Sequence, residues 1–296
     1  PHPPPMLTAA PLAAFLEPVV APHDPARASV DGDAAREAAW IAAAFAPDAL
    51  GDRFQPVREL GRGGMGVVLL ARERALHRSV ALKLLHPGLA RLGAARAPFR
   101  REARLQAQLA HPAIVAVHAY GEVVVDGALQ PWFAMPHVAG ESLAARLRRT
   151  GALPAAEVRR IVVALLDALV HAHGEGVVHR DLKPENVLLA AGTDRVLLTD
   201  FGVAARPSHD DPRHGAADVG TPLWMAPEQF AGEHAVDGRT DLYALGAVAY
   251  LMLAGRAPFA GASARALAVA RFQGAPPPLA ALAPDAPPAL VAAIEQ

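Results

Sequence analysis

The stretch His179-Arg180-Asp181-Leu182-Lys183-Pro184-Glu185-Asn186 is dense in polar groups yet sits between Val177-Val178 and Val187-Leu188-Leu189. Such apolar flanks place it in buried surroundings, where polar side chains are costly unless paired or put to use. A turn at Ala190 to Asp194 separates Val187 to Leu189 from a second apolar run, Val196 to Leu198, so the two can close as a hairpin. Closure brings Asn186 and Asp200 side by side at the open end, two oxygen donors facing one point. That pair suits Mg²⁺, a hard cation that takes one or two protein oxygens and fills its shell with water and phosphate. Asp200 opens Asp200-Phe201-Gly202, whose glycine permits a sharp exit.

The composition of the chain makes three of these residues conspicuous. Among 296 residues there are 28 basic and 29 acidic side chains, 52% apolar residues and no cysteine. This balance supports a sizeable core and argues against wholesale disorder and a basic nucleic-acid-binding surface. Its length suits one large domain or two modest lobes. Zero cysteine removes disulfide scaffolds, thiolate zinc sites and thiol nucleophiles, and fits a reducing compartment. Of the 28 basic residues 26 are Arg; Lys83 and Lys183 are the only lysines, and Asn186 is the only asparagine. Arg replaces an exposed Lys easily but not one that must act as a compact point charge in a tight site. Each exception therefore needs a local reason.

Residues 1–50 are rich in Pro and Ala and read as an N-terminal extension outside the core, with one helix-like stretch from Ala34 to Phe45. The apolar pieces around Leu7 to Val20 lack a basic flank and are broken by Pro11, Glu17 and Pro18, unlike a signal peptide. No apolar run reaches membrane length; Leu242 to Ala254 reads as a helix buried on all sides. From Phe54 the pattern predicts strands at Val67 to Ala71 and Ser79 to Leu85, joined by the charged turn Arg72 to Arg78. A helix follows over Ala97 to Ala110, with Phe99, Glu102, Leu105 and Leu109 at spacings of three or four. Further β-like runs cover Ile114 to Val125 and Pro131 to Val138. Pro154 to His173 is helical, with Val158, Ile161, Val162, Leu165, Leu166, Leu169 and Val170 on the apolar period and Gly174 as the stop. A β-rich front half thus precedes an α-rich back half, with the boundary near Gly140. No internal repeat is evident.

Leu60-Gly61-Arg62-Gly63-Gly64-Met65-Gly66-Val67-Val68 has the spacing G-x-G-x-x-G-x-V between two strands. Missing side chains let backbone N–H groups approach an anion, although glycine hairpins also serve purely conformational ends. A dinucleotide site would need a helix next and an acidic residue about 20 positions on. Here a strand follows, and Val80-Ala81-Leu82-Lys83 puts an ammonium beneath the glycine turn, within reach of phosphates. Glu102 lies on the apolar stripe of its helix, where a carboxylate needs a partner; Lys83 is the obvious one, and a surface glutamate is the bland alternative. The thirteen histidines are scattered, and His171 and His173 do not share a helix face, so no histidine metal site is read. His179 reads as a packed structural residue.

These segments, with Gly220-Thr221-Pro222, Ala226-Pro227-Glu228 and Asp241 before Gly246, resemble in their order the catalytic domain of bacterial eukaryotic-like serine/threonine protein kinases. The resemblance runs from Phe54 to the C-terminus. It implies an α+β, bilobal protein kinase-like fold: a β-rich N-lobe and hinge over 54–138 and an α-helical C-lobe over 139–296. That C-lobe would be incomplete at Gln296, where the family continues into further helices and an arginine that pairs with the position of Glu228. A first residue other than Met likewise points to a piece of a longer product.

By resemblance, Gly61, Gly63 and Gly66 cover the ATP phosphates, Lys83 holds the α and β phosphates, and Glu102 orients Lys83. Asp181 is the catalytic base, and Lys183 neutralises charge on the transferring phosphoryl group. Asn186 and Asp200 hold Mg²⁺, with Mn²⁺ as a substitute, and Thr221 bonds toward Asp181 and Lys183. Leu60, Val68, Ala81 and Leu188 would sandwich adenine. Met135-Pro136-His137-Val138 would form the hinge, with Met135 as gatekeeper and the Pro136 C=O and Val138 N–H meeting the purine edge. The implied activity is γ-phosphoryl transfer from Mg-ATP to protein Ser/Thr hydroxyls. It goes with a cytoplasmic location, no nucleic-acid partner, no membrane segment in this chain, and regulatory or anchoring domains beyond Gln296.

A pseudokinase or nucleotide-binding scaffold is the rival reading, and its mark would be degenerate catalytic positions, whereas here each is intact. A small-molecule kinase fits less well with Thr221 and Ala226-Pro227-Glu228. One departure stands out: between Gly202 and Thr221 the only hydroxyl residue is Ser208, accompanied by Asp210, Asp211 and Asp218. Activation without threonine phosphorylation is therefore expected, with these carboxylates available to meet Arg180.

Overall fold

The structure, a computed structural model, describes residues 39–47, 49–63, 65–93, 95–201, 223–230, 237–261 and 263–296. The expectations for Gly202, Ser208, Asp210, Asp211, Asp218, Gly220, Thr221 and Pro222 lie outside the described residues.

A period of two organises the front half. Along Arg78–Leu85 (β3), Val80, Leu82 and Leu84 fall on one face and Ala81, Lys83 and Leu85 on the other. Both faces are covered. The first set packs with Phe54, Leu69 and Trp132, and the second with Phe99, Ala103 and Phe133. Around β3 an antiparallel sheet forms from Phe54–Gly63 (β1), Gly66–Glu73 (β2), Ala119–Val125 (β4) and Ala128–Pro136 (β5), in the order β1-β2-β3-β5-β4. Its register sets Lys83 opposite Val68 on one side and Phe133 on the other. Two helices follow β3, Pro87–Leu92 (α1) and Arg96–Gln108 (α2). The second lays Phe99 against Phe133 with ring centroids 5.1 Å apart.

The N-terminal stretch contributes to this core, contrary to its reading as an extension up to residue 50. Residues 39–44 are helical, and Trp40, Ala44 and Leu50 are buried on the sheet face away from α2. The Trp40 ring lies 6.1 Å from that of His86, whose side chain caps the start of α1 by accepting from the Gly88 N–H. A sheet apolar on both faces must bury both, and Trp40 helps to cover the second.

The back half is built on Gly140–Ser142 (β6), Val187–Ala190 (β7) and Val196–Leu198 (β8), an antiparallel trio in that order. A Cβ at Gly140 would fall 2.0 Å from the Leu189 carbonyl oxygen, so this pairing requires glycine. The helices are Leu143–Thr150 (α3), Ala155–Gly174 (α4), Pro227–Phe230 (α5), Gly238–Ala254 (α6), Ala264–Gln273 (α7), Leu279–Leu282 (α8) and Pro288–Glu295 (α9). Val158, Ile161, Leu165 and Leu169 of α4 share one core with Val248, Leu251 and Met252 of α6.

Three sequence expectations change in detail. The strand expected over Ile114 to Val125 starts only at Ala119. Ile114 bridges in parallel to Leu198 instead, with the Val115 N–H donating to Leu198 O at 2.9 Å and the Leu198 N–H to Ala113 O at 2.8 Å. Its apolar character serves a different neighbour. In α4, Val170 is 71% exposed and Leu166 37%; the buried stripe runs through Ala168 and Ala172, small residues that a search for large apolar side chains passes over. Leu242, expected inside, is 48% exposed in the first turns of α6, which begins at Gly238 with Asp237 as its cap. Among the described residues no helix is long and apolar enough to cross a membrane.

Truncating Trp40 to alanine should destabilise the fold by about 3 kcal/mol, in the range for a large buried aromatic. Urea unfolding of Trp40→Ala checks this, and a parental midpoint would return residues 39–50 to the role of a loose extension.

Candidate active site

Lys83 extends from β3 toward α2, and its Nζ lies 2.7 Å from Glu102 Oε1 and 2.8 Å from Asp200 Oδ1. Glu102 is only 2% exposed. Burial alone would push the Lys83 ammonium down, but the Asp200 and Glu102 carboxylates outweigh it and hold the pKa above the ordinary lysine value. Burial pushes the Asp200 carboxyl up, yet the neighbouring Lys83 charge prevails and keeps it below its ordinary range. Burial also raises Glu102, with Lys83 opposing. One ammonium between two carboxylates leaves a surplus negative charge in a low-dielectric site.

The loop from His179 to Asn186 lies against this cluster. Lys183 Nζ is 2.9 Å from Asp181 Oδ2. The single asparagine donates from Nδ2 to the Asp181 carbonyl at 2.8 Å and to Asp181 Oδ2 at 3.2 Å. The Thr199 N–H donates to Asn186 O at 3.0 Å, which sets Asn186 beside the strand end that leads into Asp200. Arg180 and Asp200 adopt left-handed backbone conformations, with φ of 65° and 58°. Non-glycine residues seldom adopt this geometry, and it must be held by what surrounds it.

Asp241 supplies much of that support. Fully buried in the first turn of α6, its carboxylate accepts from the His179 and Arg180 backbone N–H groups, each at 2.8 Å, and lies 2.8 Å from His173 Nε2. The sequence placed Asp241 among the motifs but gave it no role; a carboxylate opening an otherwise apolar helix was the available signal. His179 is buried, 3.0 Å through Nε2 from Thr199 O and 4.7 Å between ring centroids from Phe201. That geometry is one of packing and support.

The three expected glycines differ. A Cβ at Gly66 would fall 1.9 Å from Leu84 O, so the pairing of β2 with β3 demands glycine there. At Gly61 and Gly63 a Cβ would meet nothing within 4 Å among the described residues, so space remains on that side of the turn. Below this edge Leu60, Val68, Ala81, Met135, Val138 and Leu188 belong to one apolar cluster, in which Leu60, Val68, Val138 and Leu188 are only partly buried. Pro136 ends β5 next to Met135.

Among the described residues no group of three or more His, Cys, Asp or Glu could hold a metal unaided. The Asp200 carboxylate, the Asn186 amide oxygen and the surplus negative charge fit a hard divalent cation that draws its remaining ligands from phosphate and water.

Residues 54–275 match the protein kinase domain family. Over 218 residues the chain is 40% identical to serine/threonine-protein kinase PknB of Mycobacterium leprae, covering 73% of this chain and 35% of that protein. Over 243 residues it is 41% identical to serine/threonine-protein kinase PknF of Mycobacterium tuberculosis, covering 79% and 50% respectively. The chain thus spans half or less of the length of these relatives. Among solved structures, the PknI kinase domain of Mycobacterium tuberculosis is similar with a TM-score of 0.60 and 37% identity, covering 79% of this chain and 82% of that one. With its sheet, its helical lobe and its paired Lys83 and Glu102 in these positions, the chain belongs to the protein kinase family, as a catalytic domain of the bacterial eukaryotic-like serine/threonine type.

Proposed function

We propose that the chain catalyses transfer of the γ-phosphoryl group of ATP to serine and threonine hydroxyls of protein substrates, with Asp181 as the base. The observation that carries the reading is the Lys83 ammonium held between Glu102 and Asp200 beneath the open edge of Gly61 and Gly63. Protein kinases use ATP with a divalent cation. In this chain Asn186 and Asp200 would hold Mg²⁺, and Mn²⁺ would meet the same donors. The bound cation neutralises phosphate charge and orients the group to be transferred.

Gly61 and Gly63 present backbone N–H groups to phosphate oxygens, and Lys83 gives the α and β phosphates a fixed positive charge that Glu102 keeps in place. Leu60, Val68, Ala81 and Leu188 enclose the adenine, while the Pro136 carbonyl and the Val138 N–H meet its polar edge beside Met135. Asp181 accepts the proton of the attacking hydroxyl, and Lys183 offsets charge that builds on the transferring group. Thr221, to which the resemblance gives a part in transfer, lies outside the described residues. The ion pairs of Lys83 and Lys183 are those that transfer needs, which favours turnover over a nucleotide-binding scaffold. A cytoplasmic setting, where ATP is supplied, and control by domains outside this chain complete the proposal.

Radiolabelled ATP and a generic protein acceptor test it. Label should appear on serine and threonine, and Asp181→Asn should lower kcat by about 10² to 10⁴ with KM for ATP little changed, the scale of a lost proton acceptor. Phosphotyrosine as the main product, or a parental rate in Asp181→Asn, contradicts the assignment. The glycines give a second test. Gly61→Ala and Gly63→Ala should keep the thermal midpoint and raise KM for ATP, whereas Gly66→Ala should lower the midpoint. Equal destabilisation by all three would remove the distinction.

A further inference from the structure

We propose that Gln106 is a positioning residue that latches α2 so that Glu102 stays on Lys83, an inference that rests on the reading of that pair as part of the working site. Gln106 is 0% exposed and stands one turn after Glu102 on the same helix face. Its Nε2 donates to Val115 O at 2.7 Å and lies 3.5 Å from Met135 Sδ. Thr199 Oγ1 approaches the same sulfur at 3.8 Å. Val115 in turn donates its N–H to Leu198 O at 2.9 Å, two residues before Asp200. A closed ring results: Lys83 to Glu102, along α2 to Gln106, across to Val115 and Leu198, then through Asp200 back to Lys83. Besides Lys83 itself, Gln106 is a link through which the helix bearing Glu102 and the strand that leads to Asp200 keep one spacing.

Besides Glu102 itself, Phe99 and Ala103 hold α2 against the sheet. Both pack by apolar contact, which fixes shape but supplies no hydrogen bond to the segment leading to β8. Apolar packing resists a slide of α2 only through shape, whereas the bond from Gln106 Nε2 to Val115 O adds a distance and an angle that must both be kept. Gln106 Oε1 is buried with no hydrogen-bond partner among the described residues. A methionine of similar length would bury no such orphan, and for packing alone it serves as well. The ring therefore assigns the amide a directional task.

The test compares kcat, KM for ATP and thermal midpoint in Gln106→Met, Glu102→Gln and the double variant. Gln106→Met should keep a midpoint near the parent and lose roughly tenfold in kcat, the scale of a sub-ångström misplacement of a phosphate-binding charge. The double variant should lose no more than Glu102→Gln alone, because both changes act through one pair. A parental kcat in Gln106→Met, or a double-variant loss equal to the product of the single losses, overturns the proposal. If Gln106→Met does not fold, Gln106→Leu is read the same way, and loss of fold in both makes Gln106 a core residue only and overturns it. A parental rate in Glu102→Gln overturns the reading of the pair itself; a rate lost there and kept in Gln106→Met overturns the latch alone.

Discussion

Two carboxylates hold one buried ammonium, and the placement of nearly every other element follows from that. Lys83 comes from the middle of a five-stranded sheet, Glu102 from the helix laid across it, and Asp200 from the end of a hairpin in the other lobe. A buried ion pair of this kind is weak support for stability, since desolvation offsets most of the attraction. Its value is positional. The three side chains meet only if both lobes and α2 are in register, so the paired state reports an assembled site. The surplus negative charge then makes the cluster receptive to a cation and to phosphates that arrive with it.

The helical lobe supplies the rigid reference for this arrangement. Asp241 fastens the backbone at His179 and Arg180 to the start of α6, a helix buried through most of its length. From that anchor the chain can hold Arg180 in a left-handed conformation and present Asp181, Lys183 and Asn186 from a short loop. The Val115 contact with Leu198 ties the segment between α2 and β4 to the same lobe. The sheet side of the site is thereby coupled to the fixed side through backbone, and Gln106 extends the coupling to α2.

Much of the site was legible because unusual residues stood where the chain otherwise avoids them. Two lysines and one asparagine in an arginine-rich chain marked Lys83, Lys183 and Asn186, and a carboxylate on an apolar stripe marked Glu102. What stayed hidden depends on partners distant in sequence. Periodicity shows that Ile114 and Val115 prefer burial but not that they join β8 and leave the sheet. Trp40 sits in a Pro- and Ala-rich stretch, and only the assembled sheet offers the face that it covers. Gly61, Gly63 and Gly66 are one letter repeated, yet only Gly66 is forced by an approaching carbonyl. Gln106 looks like a solvated helix residue until the Val115 carbonyl is found opposite it.

Because the chain has only two lysines, labelling lysine side-chain nitrogens alone gives an NMR spectrum in which Lys83 is identified by its loss in Lys83→Met. The account predicts a slowly exchanging Lys83 ammonium that stays protonated beyond the ordinary lysine range, shifts on addition of ATP with Mg²⁺, and exchanges freely in Glu102→Gln. A Lys83 signal that exchanges like a solvated lysine and ignores both nucleotide and Glu102→Gln would contradict it.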